Sequence, residues 1–260
     1  MTVQGGELTV DCDGSEPQFE RGGINVVFSM TEATTFFTLS SLLIPQAPNA
    51  SGAYLPIQVK VPSSSILNTK FPDACFVRTC VARYLPTLSF RDLSSAVPDR
   101  IISSTDSGIC ATVNGILSGD GAVFNAWIFG GGGMGVNASE DGIICLLFPT
   151  SGSNVPIEIF ENRTPLLINQ KALLLNSGGS GKFRDGLGQG LTVRPAPGQE
   201  QAITLSILGP DIMQFPAEGF LGGEAGAPGR VVLRGRALGN AGDEMGRGVD
   251  ELGPEDELTI

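Results

Sequence analysis

The chain has 260 residues, 41% of them apolar, with 27 acidic side chains against 16 basic ones, a net charge of -11 and no histidine. That apolar content can bury a sizeable core, and the acidic balance, with no basic cluster, excludes a nucleic-acid or anionic-membrane surface. The lack of histidine removes Ser-His-Asp and Cys-His nucleophiles, imidazole bases and histidine-containing metal sites together.

The first element in chain order is a strand over 7–13, where Leu8, Val10 and Cys12 alternate with polar neighbours before a turn at Gly14. A helix is expected over 29–44, capped by Ser29 or Thr31 and ended by Pro45. Phe28, Ala33, Phe36, Phe37, Leu39 and Leu43 fall near helical spacing, so this apolar stripe is expected in the core. Ile57, Val59 and Val61 then alternate with Gln58 and Lys60, the pattern of a strand with one wet face. A second helix is expected over 78–95, interrupted at Pro86, because proline inside a helix removes a donor and clashes with the preceding turn. Arg78 opens that helix and reads as a cleft-facing cation, a solvated charge or a partner for Asp73.

Residues 102–167 read as strands broken by glycines. The run Gly130, Gly131, Gly132, Gly133 suits a flexible bulge beside a strand, or a close approach of backbone to an anion. In the same stretch the alternation of Ile157 and Ile159 leaves Glu158 on a wet strand face. The longest apolar segment, 143–148, is far too short to span a bilayer, and no leader-like start is visible. The expectation is therefore a cytoplasmic protein with no membrane partner. Five cysteines, Cys12, Cys75, Cys80, Cys110 and Cys145, form no CxxC pair and read as reduced thiols packed in the core.

The segment 176–230 organises the rest. Glycine loses the most freedom on folding, and ordering a residue costs roughly 1 to 2 kcal/mol. Something must therefore hold Ser177–Gly190: packing against the fold, or a partner. Lys182 follows Gly181, but Phe183 stands where a phosphate-binding loop needs Ser or Thr, and Gly186-Leu187-Gly188-Gln189-Gly190 lacks the GxGxxG spacing and leads into a strand. Both nucleotide motifs are rejected. Strands follow over 191–195, 202–208 and 231–233. From Asp243 onward seven acids accompany one base, so 238–260 reads as an acidic tail with a terminal strand. Many short strands with two helical segments make an α+β fold, predominantly antiparallel β with the helices packed on the sheets, as one body over 1–237.

The stretches SGGSGKFRDGLGQ (177–189) and FPAEGFLGGEAGAPGR (215–230), with GGMG before Asp141-Gly142 and FPTSGSNVPIE (148–158), together resemble the hydantoinase B/oxoprolinase family. The likeness runs from about Glu7 to Ile260 and corresponds to the C-terminal half of a B-type subunit. Asp185 stands where the family usually has glycine, so the loop's backbone conformation is a point to check. The resemblance implies a subunit or fragment of an ATP-dependent hydantoinase or 5-oxoprolinase-type complex that opens cyclic amides. A related acetone- or acetophenone-type ketone carboxylase subunit, or a non-catalytic assembly module, is the alternative. It implies no cofactor in this chain, with ATP and a divalent metal on partners: a hydantoinase A-type ATP-binding subunit and a chain carrying the N-terminal half of the B-type subunit, in a hetero-oligomer. The upstream half, where family members keep their metal ligands, has no counterpart here, which is expected of a split subunit or an incomplete product. The implied substrate-binding residues are Arg78, Gly178, Gly179, Gly181, Lys182, Arg184, Gly188 and Gln189. The catalytic residues stay unassigned.

Overall fold

The computed structural model describes every residue except Arg21, Asp106, Ser107, Ser151, Ser153 and 239–248. The ten residues 239–248 take in much of the stretch read above as an acidic tail, and that part lies outside the described residues. The chain divides into two compact units, Met1–Ile101 and Ile102–Ile260.

In Met1–Ile101, strands β1 (Thr2–Gln4) and β2 (Glu7–Asp11) form a hairpin, and β3 (Ile57–Lys60) joins β2 in parallel. Gly5 and Gly6 turn the hairpin with φ of 60° and 87°, a region side chains disfavour. The alternation in β2 buries Leu8 and Val10 against Leu39 of helix α1 (Phe28–Leu43). Helix α1 lies where the sequence places it, but its dry face differs. Thr31, Thr35, Thr38, Leu39 and Leu42 are buried, while Phe28 and Phe37 are exposed. The buried threonines satisfy their hydroxyls internally: Thr31 donates to Leu67 O (2.7 Å) and Thr35 to Thr31 O (2.8 Å). Hydroxyls that find backbone acceptors can occupy a core face that a hydrophobicity pattern assigns elsewhere. Neither Ser29 nor Thr31 caps the helix; the residue before it is Val27, without a side-chain cap.

After the single turn α2 (Ser51–Tyr54) and β3, the second helical segment is split into α3 (Thr79–Ala82) and α4 (Tyr84–Leu93). The break falls at Arg83 and not at Pro86. Pro86 sits in the first turn of α4, where no intrahelical bond needs its missing N–H.

In Ile102–Ile260, all strand pairs among the described residues are antiparallel. The strands are β4 (Cys110–Ile116), β5 (Val123–Phe129), β6 (Leu166–Leu173), β7 (Gln189–Pro195), β8 (Ile203–Leu208), β9 (Val231–Leu233), β10 (Arg236–Leu238), β11 (Val249–Leu252) and β12 (Leu258–Thr259). They make a five-stranded sheet, β10-β9-β12-β7-β6, and a four-stranded sheet, β11-β8-β4-β5. One core joins them: Ala111, Val113, Ile203 and Leu205 from one sheet meet Leu166, Val193, Val231 and Leu258 from the other. The alternating burial of β8 is the signature of a strand with one dry face. The α+β class, antiparallel apart from β2–β3, is thus the architecture of the chain.

One segment departs from its expected type. Ile157–Arg163 is a helix, α5, entered through Pro156 and burying Phe160. Glu158 is exposed, as expected, but as a first-turn helix residue and not as the outer face of a strand.

The topology gathers glycines at one place. The 177–188 loop is the connection between β6 and β7, the 130–135 run leaves the end of β5, and the 214–230 segment leads into β9.

Candidate substrate cleft

The glycines here are needed for space. None of those from Gly178 to Gly190 takes up the left-handed backbone region. A Cβ built on Gly133 would stand 1.7 Å from Gly186 O, one on Gly186 would stand 2.1 Å from Ile143 O, and one on Gly142 would stand 2.1 Å from Met134 O. Three backbone runs therefore touch with only hydrogens between them. Hydrogen bonds stitch the layers: Met134 N–H donates to Ile143 O (2.8 Å), Gly186 N–H to Met134 O (3.0 Å) and Gly142 N–H to Arg184 O (2.8 Å). Gln189 N–H donates to Gly131 O (2.8 Å), and Cys145 N–H to Leu187 O (2.9 Å).

The second glycine segment closes the stack from another side. Ala227 N–H donates to Ser177 O and Glu224 N–H to Ser180 O, both at 2.8 Å. A Cβ on Gly179 would lie 2.2 Å from Glu224 O. The entropy of ordering this loop is thus offset by backbone pairing within the fold, with no ligand needed.

Asp185 is part of that fastening. It is 9% exposed, and its Oδ1 accepts from the Ser103 hydroxyl (2.7 Å) and from Val136 N–H (2.8 Å). Its φ is not positive, so a side chain at this family-glycine position fits the local backbone. The carboxylate ties the loop to Ser103 and to the end of the 130–136 run, with donors of the kind that make strong bonds to ionised groups.

These layers enclose a cavity of about 350 Å³, within the size range of small-molecule sites. Gly130–Gly133 form one wall, Gly178, Gly188 and Gln189 another, and Ile109, Leu174 and Ile212 supply apolar surface. The amide N–H groups of Gly131, Gly132, Gly133 and Gly178 have no acceptor among the described residues, although Gly131, Gly132 and Gly133 are buried. The buried Oε1 of Gln189 likewise lacks a partner, and its Nε2 reaches only Cys145 Sγ at 3.9 Å. Buried polar groups are normally satisfied. A cluster of free amides at a cavity wall is suited to receive an oxyanion.

Of the residues singled out from sequence, Gly178, Gly188 and Gln189 line this cavity and Gly179, Gly181, Lys182 and Arg184 do not. Gly179 is packed behind it against Glu224. Lys182 and Arg184 are exposed, the Lys182 ammonium lying 5.2 Å from the Phe183 ring centre. Arg184 contributes its backbone, donating N–H to Asp141 Oδ1 (2.8 Å). Arg78 belongs to the other unit, where its guanidinium donates to Cys75 O (3.3 Å). The sequence reading left Gly130–Gly133 open between a loose bulge and a close backbone approach, and the structure packs the run into the cavity wall; it passed over Arg230, which stands at the end of the second glycine segment and is among the lining residues.

Cys145, beside Gln189, has its thiol pKa pushed up by burial, with Lys171 countering only in part. It stays protonated near neutral pH and is a poor nucleophile there. Among the described residues no three Cys, Asp or Glu side chains group as metal ligands. No helix among them is long and apolar enough to cross a membrane.

The family model described as Hydantoinase B/oxoprolinase matches residues 1–260. The chain is 26% identical over 199 residues to a putative D-/L-hydantoinase B subunit from a Pseudomonas strain, covering 72% of this chain and 33% of the relative. It is 27% identical over 264 residues to the 5-oxoprolinase PfmaA of Pestalotiopsis fici, covering 98% of this chain and 20% of the relative. It thus spans a third or less of the length of these two relatives. Its fold matches a nucleotide-free acetone carboxylase structure with a TM-score of 0.77 at 16% identity, over 96% of this chain and 38% of that one. With the glycine signatures of 177–190 and 215–230 folded into one cleft and the family model matched from end to end, the chain belongs to the hydantoinase B/oxoprolinase family.

Proposed function

We propose that this chain supplies the substrate cleft of an ATP-dependent cyclic-amide hydrolase of the hydantoinase or 5-oxoprolinase type. ATP and a divalent metal would lie on companion chains: a hydantoinase A-type subunit and a chain carrying the N-terminal half of the B-type subunit. The observation that carries this reading is the set of partnerless amides at Gly131, Gly132, Gly133 and Gly178 along one cavity. An amide oxygen gains negative charge as its ring is opened, and preorganised N–H donors in a water-poor site stabilise that charge without reorganising. ATP, held by its own subunit, would supply a phosphoryl group to the amide oxygen, which makes the carbonyl carbon a better electrophile for water, with the ring nitrogen as the leaving group. This chain's own work is to hold the ring against Ile109, Leu174 and Ile212, to exclude water and to present the amides.

The experiment is reconstitution. The chain alone should be inert, and mixing it with its companions should give ATP-dependent ring opening of hydantoin or 5-oxoproline. Turnover by the chain alone, or equal turnover by the companions without it, would remove the reading. Removing the exposed charges of Lys182 and Arg184 should leave the rate unchanged, because neither side chain reaches the cavity. The match in fold to an acetone carboxylase favours a second reading, a ketone carboxylase subunit in which the same amides face an enolate oxygen. Consumption of bicarbonate in the same assay separates the two.

A further inference from the structure

Strand β5 ends the four-stranded sheet β11-β8-β4-β5, and among the described residues only β4 pairs with it. The two strands keep one unbroken register, from Val123 opposite Ile116 to Phe129 opposite Cys110. The bonds that frame this pair, Leu117 N–H to Ala122 O (2.8 Å) and Gly130 N–H to Ile109 O (2.9 Å), fall on even-numbered residues of the β5 side. Antiparallel strands alternate bonded and unbonded positions. Phe124, Ala126 and Ile128 therefore direct their backbone groups to β4, while Val123, Asn125, Trp127 and Phe129 turn theirs to the open edge.

The same four residues form the outer face. Val123 is 82% exposed and Trp127 39%, and Trp127 stacks on Phe129 with 5.9 Å between ring centres. Phe124 and Ile128 point the other way, into the core. A free edge is usually guarded by lysine, proline or a bulge. Here VFNAWIF of β5 and CATVNGI of β4 hold no charged residue and no proline, although the chain carries a net charge of -11. Two copies can meet along this strip without like charges opposing each other.

The free groups also set a register for such a meeting. A two-fold axis through Ala126 places Asn125 opposite Trp127 and Val123 opposite Phe129 of the second copy. Each open N–H and C=O then meets its complement, and the dry face of the sheet continues across the axis. The two Trp127 rings become diagonal neighbours, within aromatic reach. A self-complementary contact of this kind closes at two copies.

We propose that β5 is an interaction edge at which two copies of this chain pair antiparallel about Ala126, joining their four-stranded sheets into one. Nothing in this pairing depends on the cleft.

Sedimentation equilibrium of the 260-residue chain should give twice 27.0 kDa at micromolar concentration and 27.0 kDa after dilution. Trp127 is the one tryptophan of the chain, so its emission should move to the red over the same dilution. Trp127→Lys sets a lysine guard on the edge and should abolish the dimer. Leu55→Lys, at an 83% exposed apolar residue of the other unit, should leave the dimer intact. Ala126→Cys should give, on oxidation by diamide, a covalent dimer in which peptide mapping finds the two 126 positions linked. Where Trp127→Lys fails to fold, that link decides. A mass of 27.0 kDa throughout the micromolar range, a dimer that survives in folded Trp127→Lys, absence of the 126 link, loss of the dimer in Leu55→Lys, or growth beyond two copies would overturn the pairing.

Discussion

The sheet core and the cleft wall of Ile102–Ile260 are both closely packed, yet for opposite reasons. Between the sheets, Leu166, Ile203, Leu205 and Leu258 fill the space with side chains and are fully buried. Along the cleft, Gly133, Gly142 and Gly186 bring backbone against backbone by having none. The first region gains from each methylene it buries, about 0.8 kcal/mol apiece. The second leaves polar amides in a buried place, which a packed side chain would cover. A core of the first kind accepts another hydrocarbon of similar volume, whereas a wall of the second kind accepts no added carbon at the crossings.

The hardest blow to this contrast is a single methyl at a crossing. Gly133→Ala puts a carbon 1.7 Å from a carbonyl oxygen whose own run is pinned by hydrogen bonds. A loss of about 4 kcal/mol or more is expected, seen as a collapse of the denaturation midpoint. Leu166→Ala in the sheet core should cost about 3 kcal/mol, within the usual range for a large-to-small change at a fully buried site. If the two results came out in reverse order, the wall would be more yielding than its geometry says.

Smaller changes sharpen the comparison. Asp185→Ala strands the Ser103 hydroxyl proton and leaves Val136 N–H with Ser103 Oγ (2.9 Å) alone as its acceptor, and should cost about 2 kcal/mol in denaturant unfolding. Gly188→Ala lies in the same loop, but its added Cβ meets nothing closer than 3.7 Å. It should change stability by less than about 0.5 kcal/mol, and a large loss would mean that loop composition matters more than the crossings. The least effect concerns pH. Burial raises the folded Cys145 pKa above the ordinary 9.0 of the unfolded thiol. Its contribution is therefore complete below pH 9 and declines as the pH climbs through the folded value. Cys145→Ser should flatten that alkaline decline in pH-resolved melting curves.

The strands were legible where one face is wet and one is dry, as in β2, β3 and β8. Helix α1 was legible by extent but not by face, because Thr31, Thr35 and Thr38 hide satisfied hydroxyls that look polar in a string of letters. The α3–α4 break was misplaced because Pro86 is harmless in a first turn. Glycine density marks the segments that wall the cavity, but density does not say which glycine lines it and which is packed against backbone. That distinction depends on runs such as 133 and 186, more than fifty positions apart, meeting in space. For the same reason the charged pair Lys182 and Arg184 drew attention in sequence, while Arg230 at the cavity did not.

The central claim is that the amides of Gly131–Gly133 and Gly178 face the ligand. Amide chemical shifts of the isotope-labelled 260-residue chain, followed as 5-oxoproline is added, test it most directly. The account predicts that these four glycines show the largest saturable shifts, with Gly179 and Gly181 nearly still. Saturable shifts centred elsewhere in the chain, with those four unmoved, would contradict it.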